Sequence, residues 1–164
     1  MKTKIIKILG VALTIALIAS LFVFAAPISA KNNPKFFTAT TTYTYTSQAI
    51  TSMEPMGNDY MVRFEMISTY SIDGYFGLGT AIEYAHGVLD LITGEANFTY
   101  TMEVTYAGGG LTLHGVGWRI HGPYEGSRWT IISGTDAYAN LHGHGTTTAT
   151  ATGNISTGTY HYAP

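Results

Sequence analysis

The sequence predicts an all-β protein, most economically an antiparallel barrel of eight strands, on three observations. After residue 31, apolar and polar residues alternate strictly in several runs, and no window repeats apolar residues at helical spacing over ten or more positions. Turn signals rich in Gly, Pro, Asn and Asp separate these runs. Residues 31–164 also supply roughly 17 residues for each of eight strands with its turn, as long meandering strands require.

Closure into a barrel is favoured because it removes the strand edges that would otherwise invite aggregation. A two-sheet β-sandwich remains an alternative, since the alternation pattern fits both architectures. The chain contains no cysteine. Sheet hydrogen bonds and packed aromatic side chains must therefore supply the stability that disulfides give to many exported domains.

Residues 1–30 are predicted to be an export segment that precedes a single barrel domain at 31–164. Lys2, Lys4 and Lys7 form a cationic leader, residues 8–26 are mostly apolar, and Ala30 provides a small residue at a cleavage position. The protein is thus expected to be secreted or otherwise extracytoplasmic. Alternatively, an uncleaved hydrophobic helix at 8–26 anchors the domain in a membrane, because this run just reaches spanning length.

The predicted strands follow from the alternating runs and the turns between them. In one clear run, Phe98, Tyr100, Met102, Val104 and Tyr106 share one face, and polar side chains occupy the other. The count is eight or nine, because Gly87 either bends one strand or separates two. The predicted ranges are about 36–50, 60–70, 75–86, 88–92, 97–106, 111–120, 128–134, 141–152 and 155–162.

The apolar stripes are expected to face the interior, where their aromatic residues either line a small-molecule cavity or fill the core. A lipid-facing stripe is disfavoured, because threonine would then line the interior with few charges. The predicted ligand-lining residues are Tyr43, Tyr45, Phe64, Met66, Phe98, Tyr100 and Met102.

Three Gly-x-Gly steps fall inside predicted strands, at 77–79, 115–117 and 143–145, and each is expected to mark tight packing or coiling on one face. His142 and His144 are two apart, and with His114 they could chelate a metal from one sheet face. The glycines, however, are better placed inward, which puts these histidines outside. The sequence therefore predicts no metal and no other cofactor, with the three histidines as the only weak metal candidates.

Arg63, Glu65 and Glu103 are the weak catalytic candidates, as a general acid or base with an orienting cation. Their positions oppose the apolar stripes, so solvated cross-strand pairing explains them more simply. No nucleophile elbow, zinc-protease motif or phosphate loop occurs in the sequence. Whether the protein is an enzyme is left open, with a non-catalytic role favoured.

Residues 129–145 read WTIISGTDAYANLHGHG. This stretch resembles the signature of the allene oxide cyclase-like barrel group, to which dirigent proteins are related: a strand ending in Gly-Thr-Gly, then a Leu-x-Gly-x-Gly step. The likeness extends over about 97–150, and Asp136 replaces the second glycine of the first step. The resemblance implies an eight-stranded barrel whose interior holds apolar intermediates. No functional residue of the group can be carried over to this chain.

Charge and composition narrow the range of partners. Residues 31–164 carry five basic and ten acidic side chains, a formal charge of −5, and the cations are too dispersed for nucleic-acid binding. We therefore expect a barrel that binds a small apolar ligand or serves as a structural module of the cell envelope. The alternative is a cyclase-like or dirigent-like enzyme. The oligomeric state is not predicted.

Overall fold

The computed structural model describes residues 35–120 and 124–163. The predicted export segment lies outside these residues. In the described ranges, no helix has both the length and the apolar character needed to cross a membrane. The strands are β1 (Phe37–Met56), β2 (Asn58–Gly74), β3 (Gly79–Asp90), β4 (Ala96–Tyr106), β5 (Gly109–Ile120), β6 (Tyr124–Gly134), β7 (Leu141–Thr150) and β8 (Gly153–Tyr162).

Each strand pairs antiparallel with the next one along the chain, and β1 also pairs with β8, which closes the sheet. The predicted eight-stranded antiparallel barrel is thereby confirmed, and the sandwich alternative is wrong for this chain. Gly87 does not divide β3, whose pairing with β4 continues through Gly87↔Phe98. A single short 3₁₀ turn, Asp136–Tyr138, lies between β6 and β7.

The two longest strands extend beyond their predicted limits. The pairing of β1 with β8 stops at Thr44↔Gly153, but β1 continues to Met56 with β2 as its partner on one side. Pro55 is tolerated there because an unpaired strand side requires no N–H donor. The reversal occurs at Gly57, which has a φ of 66°.

The prediction that Gly77 and Gly79 share one strand face is wrong. Gly77 lies in the turn before β3 with a φ of 93°, a backbone conformation that glycine adopts without steric cost. In the 3₁₀ turn between β6 and β7, Asp136 has a φ of 52°. This is the left-handed region of backbone conformation, which aspartate tolerates better than most residues.

The alternating apolar stripes face the barrel interior, and the two ends of that interior differ. We call the end with the β2–β3, β4–β5 and β6–β7 turns the closed end, and the opposite end the open end. Aromatic rings fill the closed end: Phe76 lies 5.2 Å from Tyr160 and 5.5 Å from Tyr138, measured between ring centroids. The Trp129 ring is tilted against that of Tyr160, with 5.6 Å between the centroids, and Trp129 is 4% exposed. This half of the barrel is a packed core.

The inward glycines make room for these large rings. A Cβ on Gly145 would collide with the Trp129 ring and the Thr157 carbonyl, and one on Gly115 would collide with the Tyr100 ring. Gly143 similarly lies against the Tyr160 ring. The prediction that these glycines face inward is confirmed, and the alternating residues between them point outward.

Candidate ligand cavity

A cavity of ≈530 Å³ occupies the open half of the barrel. It lies between the packed aromatic half and the turns of the open end, and its residues come from all eight strands. The lining residues are Tyr45, Gln48, Ile50, Phe64, Met66, Tyr70, Glu83, Leu89, Ala96, Phe98, Tyr100, Arg119, Glu125, Gly126, Ser127, Thr147, Ala149, Thr150 and Asn154. The interior is therefore neither wholly filled nor wholly hollow.

The cavity exists because large and small side chains face each other across it. Aromatic residues of β1, β2 and β4 line one side, whereas β6 and β7 contribute Gly126, Ser127, Thr147 and Ala149 on the other. The inward face of β3 is also small at Ala81 and Ala85, which flank Glu83. Such short side chains cannot fill the space between opposing walls of an eight-stranded barrel.

Glu83 is the carboxyl group in the wall of the cavity that lies deepest, next to the packed half. Its side chain is 7% exposed, and its Oε1 accepts a hydrogen bond of 3.3 Å from the Tyr70 hydroxyl. Burial raises the pKa of Glu83 to about 7, although the hydrogen bond from Tyr70 acts in the opposite direction. The carboxyl group can therefore change its protonation state near neutral pH.

Tyrosine side chains surround this carboxyl group. The ring of Tyr45 lies 4.9 Å from that of Tyr70, and the Tyr100 hydroxyl is 3.0 Å from Ser127 Oγ. Burial raises the pKa of Tyr100 to about 12, and it raises the pKa of Tyr70 well above its usual range. These hydroxyls thus stay protonated at neutral pH and act as hydrogen-bond donors and acceptors.

The polar groups at the mouth are largely paired with each other. Arg119 forms an ion pair with Glu125 across the β5–β6 hairpin, with both side chains partly exposed. Deeper in the wall, at the register of Glu83, Gln48 Nε2 donates to the buried Ser68 Oγ at 3.4 Å. A ligand that enters the cavity would contact an ion pair without net charge at the entrance and a single carboxyl group at the floor.

A smaller void of ≈20 Å³ lies below the floor, next to Glu83, Tyr100 and Ser127. This volume is about that of one ordered water, and the polar side chains around it could bind one. Tyr43 and Met102 contact this lower void, whereas they do not line the larger cavity.

The seven residues predicted to line a ligand site all lie on the inner face of the barrel. Five of them line the cavity: Tyr45, Phe64, Met66, Phe98 and Tyr100. The predicted catalytic candidates lie elsewhere, since Arg63, Glu65 and Glu103 are exposed on the outer face. The structure does not bring them into contact with the cavity.

The histidine candidates also lie on the outside. His114, His142 and His144 are exposed, and the His142 ring stacks 5.3 Å from that of His161 on the neighbouring strand. Within residues 35–120 and 124–163, no three His, Cys, Asp or Glu side chains are grouped closely enough to hold a metal ion.

Glu83, the most distinctive residue of the cavity, is absent from the residues predicted above. The sequence does contain a signal for Glu83, because side chains alternate along a strand and Gly79, Ala81, Ala85 and Gly87 lie on the same face of β3 as Glu83. When small residues surround one carboxylate on an inward strand face, that face is expected to border a cavity in the barrel interior. The apolar side chains of Ile82 and Tyr84 on the opposite face obscure this signal, although both are exposed to solvent.

The comparisons with known proteins show a fold and no more. No protein-family model matches the sequence, and no curated protein matches it. Among solved structures, the chain is similar to a protein of unknown function from Clostridium acetobutylicum ATCC 824, with a TM-score of 0.51 and 10% sequence identity. The match covers 82% of this chain and 100% of that one. The resemblance of residues 129–145 to the cyclase-like group stays a prediction, and the chain is shown to be a β-barrel.

Proposed function

We propose that the protein binds a small, largely apolar molecule in the open half of its barrel. The observation that carries this proposal is the ≈530 Å³ cavity with one buried carboxyl group, Glu83, at its floor. Ligand sites commonly have volumes of about 300–1,000 Å³ and combine apolar walls with a few polar groups that orient the ligand. The cavity fits this description in both size and composition.

The apolar walls of the cavity favour a ligand with an apolar body, and the polar groups at the floor favour one polar group on that ligand. Phe64, Phe98 and Leu89 offer apolar surface, and a ligand that removes this surface from water lowers the free energy of the complex. Glu83 and the Tyr70 hydroxyl offer directed hydrogen bonds. Because these groups lie at the deep end, we expect the ligand to enter with its polar group first.

Filling the cavity with a side chain is expected to prevent binding. Ala149 lines the cavity, so Ala149→Trp should weaken the binding of the neutral fluorescent probe N-phenyl-1-naphthylamine by about tenfold or more. The affinity is measured by fluorescence titration of the purified chain, with circular dichroism to verify folding.

Thr148→Trp is the matched control, because Thr148 is the next residue of β7 and is exposed on the outer face. This variant adds the same indole outside the barrel and should bind the probe as the wild type does. Equal affinity in both variants and the wild type would locate the probe outside the cavity and contradict the proposal.

A second candidate is a cyclase-like or dirigent-like enzyme that acts on an apolar intermediate inside the barrel. The buried Glu83 favours it, because a carboxyl group with a pKa of about 7 can serve as a general acid or base. The two candidates differ in the fate of the bound molecule. A molecule recovered unchanged after incubation supports binding, whereas conversion that is lost in Glu83→Gln supports catalysis.

We further propose that this binding takes place outside the cytoplasm. The support comes from the cationic leader and the apolar run within residues 1–30. N-terminal sequencing of the protein isolated from its native host tests this point: a new terminus near Lys31 is expected, and an intact Met1 would favour the membrane anchor instead.

A further inference from the structure

Building on the proposed function, we infer that the ligand carries a protonatable amine on its apolar body and that the Glu83 carboxylate binds this amine. Three features of the cavity support the inference: an open carboxylate oxygen, the lack of a free protein cation at the floor or the entrance, and a surround of aromatic rings.

The first feature is an open position on the carboxyl group. Oε1 accepts the Tyr70 hydroxyl, and the structure gives no described partner for Oε2. No buried side-chain oxygen or nitrogen in the described ranges lacks a hydrogen-bond partner. Oε2 therefore borders open space, and Glu83 lines both the cavity and the void below its floor, so we place this oxygen within reach of a ligand.

The second feature is the position of the cations. Among the residues that the structure describes, Arg63 and Arg128 are exposed on the outer face, and Lys35 precedes β1 at the closed end. Arg119 lies at the mouth and is already paired with Glu125. Glu83 consequently has no counter-ion within the described chain, and a buried carboxylate without one is unfavourable.

The third feature is the aromatic surround. Tyr45, Tyr70 and Tyr100 all line the same cavity as Glu83, with Phe64 and Phe98 further toward the mouth. The faces of such rings attract cations, and the attraction is stronger where water is excluded. A carboxylate next to several tyrosine rings is thus suited to an ammonium group on an apolar body.

Other ligand charges fit less well. A carboxylate or phosphate at the floor would be repelled by ionised Glu83, and at the mouth it would compete with Glu125 for Arg119. A neutral hydrogen-bond acceptor would require Glu83 to be protonated. The two protonation states of Glu83 therefore predict different ligands, and that difference can be measured.

The groups facing Glu83 do not titrate near neutral pH. They are Tyr43 and Tyr45 on β1, Tyr70 on β2 and Tyr100 on β4, and the pKa of each is raised above its usual value, chiefly by burial. The remaining charges along the cavity belong to the Arg119–Glu125 pair at the mouth. A pH dependence of amine binding between about pH 6 and 8 should therefore report on Glu83.

The experiment compares two probes of nearly equal shape, 1-naphthylmethylamine and 1-naphthylmethanol, by isothermal titration calorimetry on the purified chain. At pH 8 the amine should bind about tenfold or more tightly than the alcohol, as expected for a charge-assisted hydrogen bond in a buried site. The preference should decrease as the pH falls to 6, because Glu83 becomes protonated. In Glu83→Gln the alcohol should still bind, and the preference should disappear at both pH values.

Glu54→Gln is the matched control, because Glu54 is an exposed carboxylate of β1 that does not line the cavity, and the amine preference should persist in it. Equal binding of both probes by the wild type, or tighter binding of the alcohol, would overturn the inference while leaving the proposed function intact. Failure of both probes to bind would count against the proposed function itself. The wild-type comparison requires no variant, so poor folding of Glu83→Gln would not obscure the result.

Discussion

Replacing Trp129 with alanine is expected to lower the free energy of unfolding by about 3–5 kcal/mol. The indole ring is 4% exposed and packs on Gly145 and Gly158. Its Nε1 donates a hydrogen bond of 2.8 Å to Ser156 Oγ, which is also buried. Truncation would therefore leave a large cavity in the packed half of the barrel and remove one of the two hydrogen bonds of the buried Ser156 hydroxyl, which also donates to the Thr146 carbonyl at 3.4 Å. Chemical denaturation followed by circular dichroism measures the effect.

Ile132→Ala is the control for this variant, because Ile132 lies on the same strand but is 60% exposed. Its effect should stay within about 0.5 kcal/mol, as is usual for exposed positions. A loss of less than about 1 kcal/mol in Trp129→Ala would contradict the account of the closed end as the packed core.

The second large effect is a pH-dependent change in stability caused by Glu83. Its pKa is raised from 4.5 to about 7 in the folded state, so the folded chain binds more protons than the unfolded chain between these values. Stability attributable to this residue therefore falls as the pH rises through that window. Relative to Glu83→Gln, the wild type should lose about 3 kcal/mol between about pH 4 and pH 8.

The measurement is the difference between the unfolding free energies of the two proteins at several pH values. Taking the difference cancels the other titrating groups, which both proteins share. A difference that stays constant from about pH 4 to pH 8 would show that Glu83 is not held in a buried environment. The same variant serves the amine-binding experiment, so its stability curve also verifies that it is folded at each pH used there.

Much of the fold could be predicted from the sequence because strand alternation is local. The stripe from Phe98 to Tyr106 and the inward Gly115, Gly117, Gly143 and Gly145 each follow from a period of two residues. Once these faces are assigned, the outward positions of the histidines follow too. Five of the seven residues predicted to line a ligand site also line the cavity, because they share those inward faces.

The remaining features depend on which strands face each other across the barrel, and alternation does not contain that information. The hollow half arises because aromatic side chains of β2 and β4 meet small side chains of β6 and β7. β1 continues past Thr44, where its pairing with β8 stops, because β2 pairs with it as far as Met56. Glu83 could have been selected only from its small same-face neighbours, Ala81 and Ala85, since its strand is apolar on both faces.

The central claim is that the open half of the barrel is a ligand site, and methyl NMR of the chain titrated with 1-naphthylmethanol tests it most directly. Saturable shifts are expected for the methyl groups of Met66, Leu89, Ala96 and Ala149, which line the cavity. Methyl groups of the packed half, such as those of Leu111 and Ile131, should change little. Shifts limited to exposed methyl groups, such as those of Ile82 and Val116, would contradict the claim.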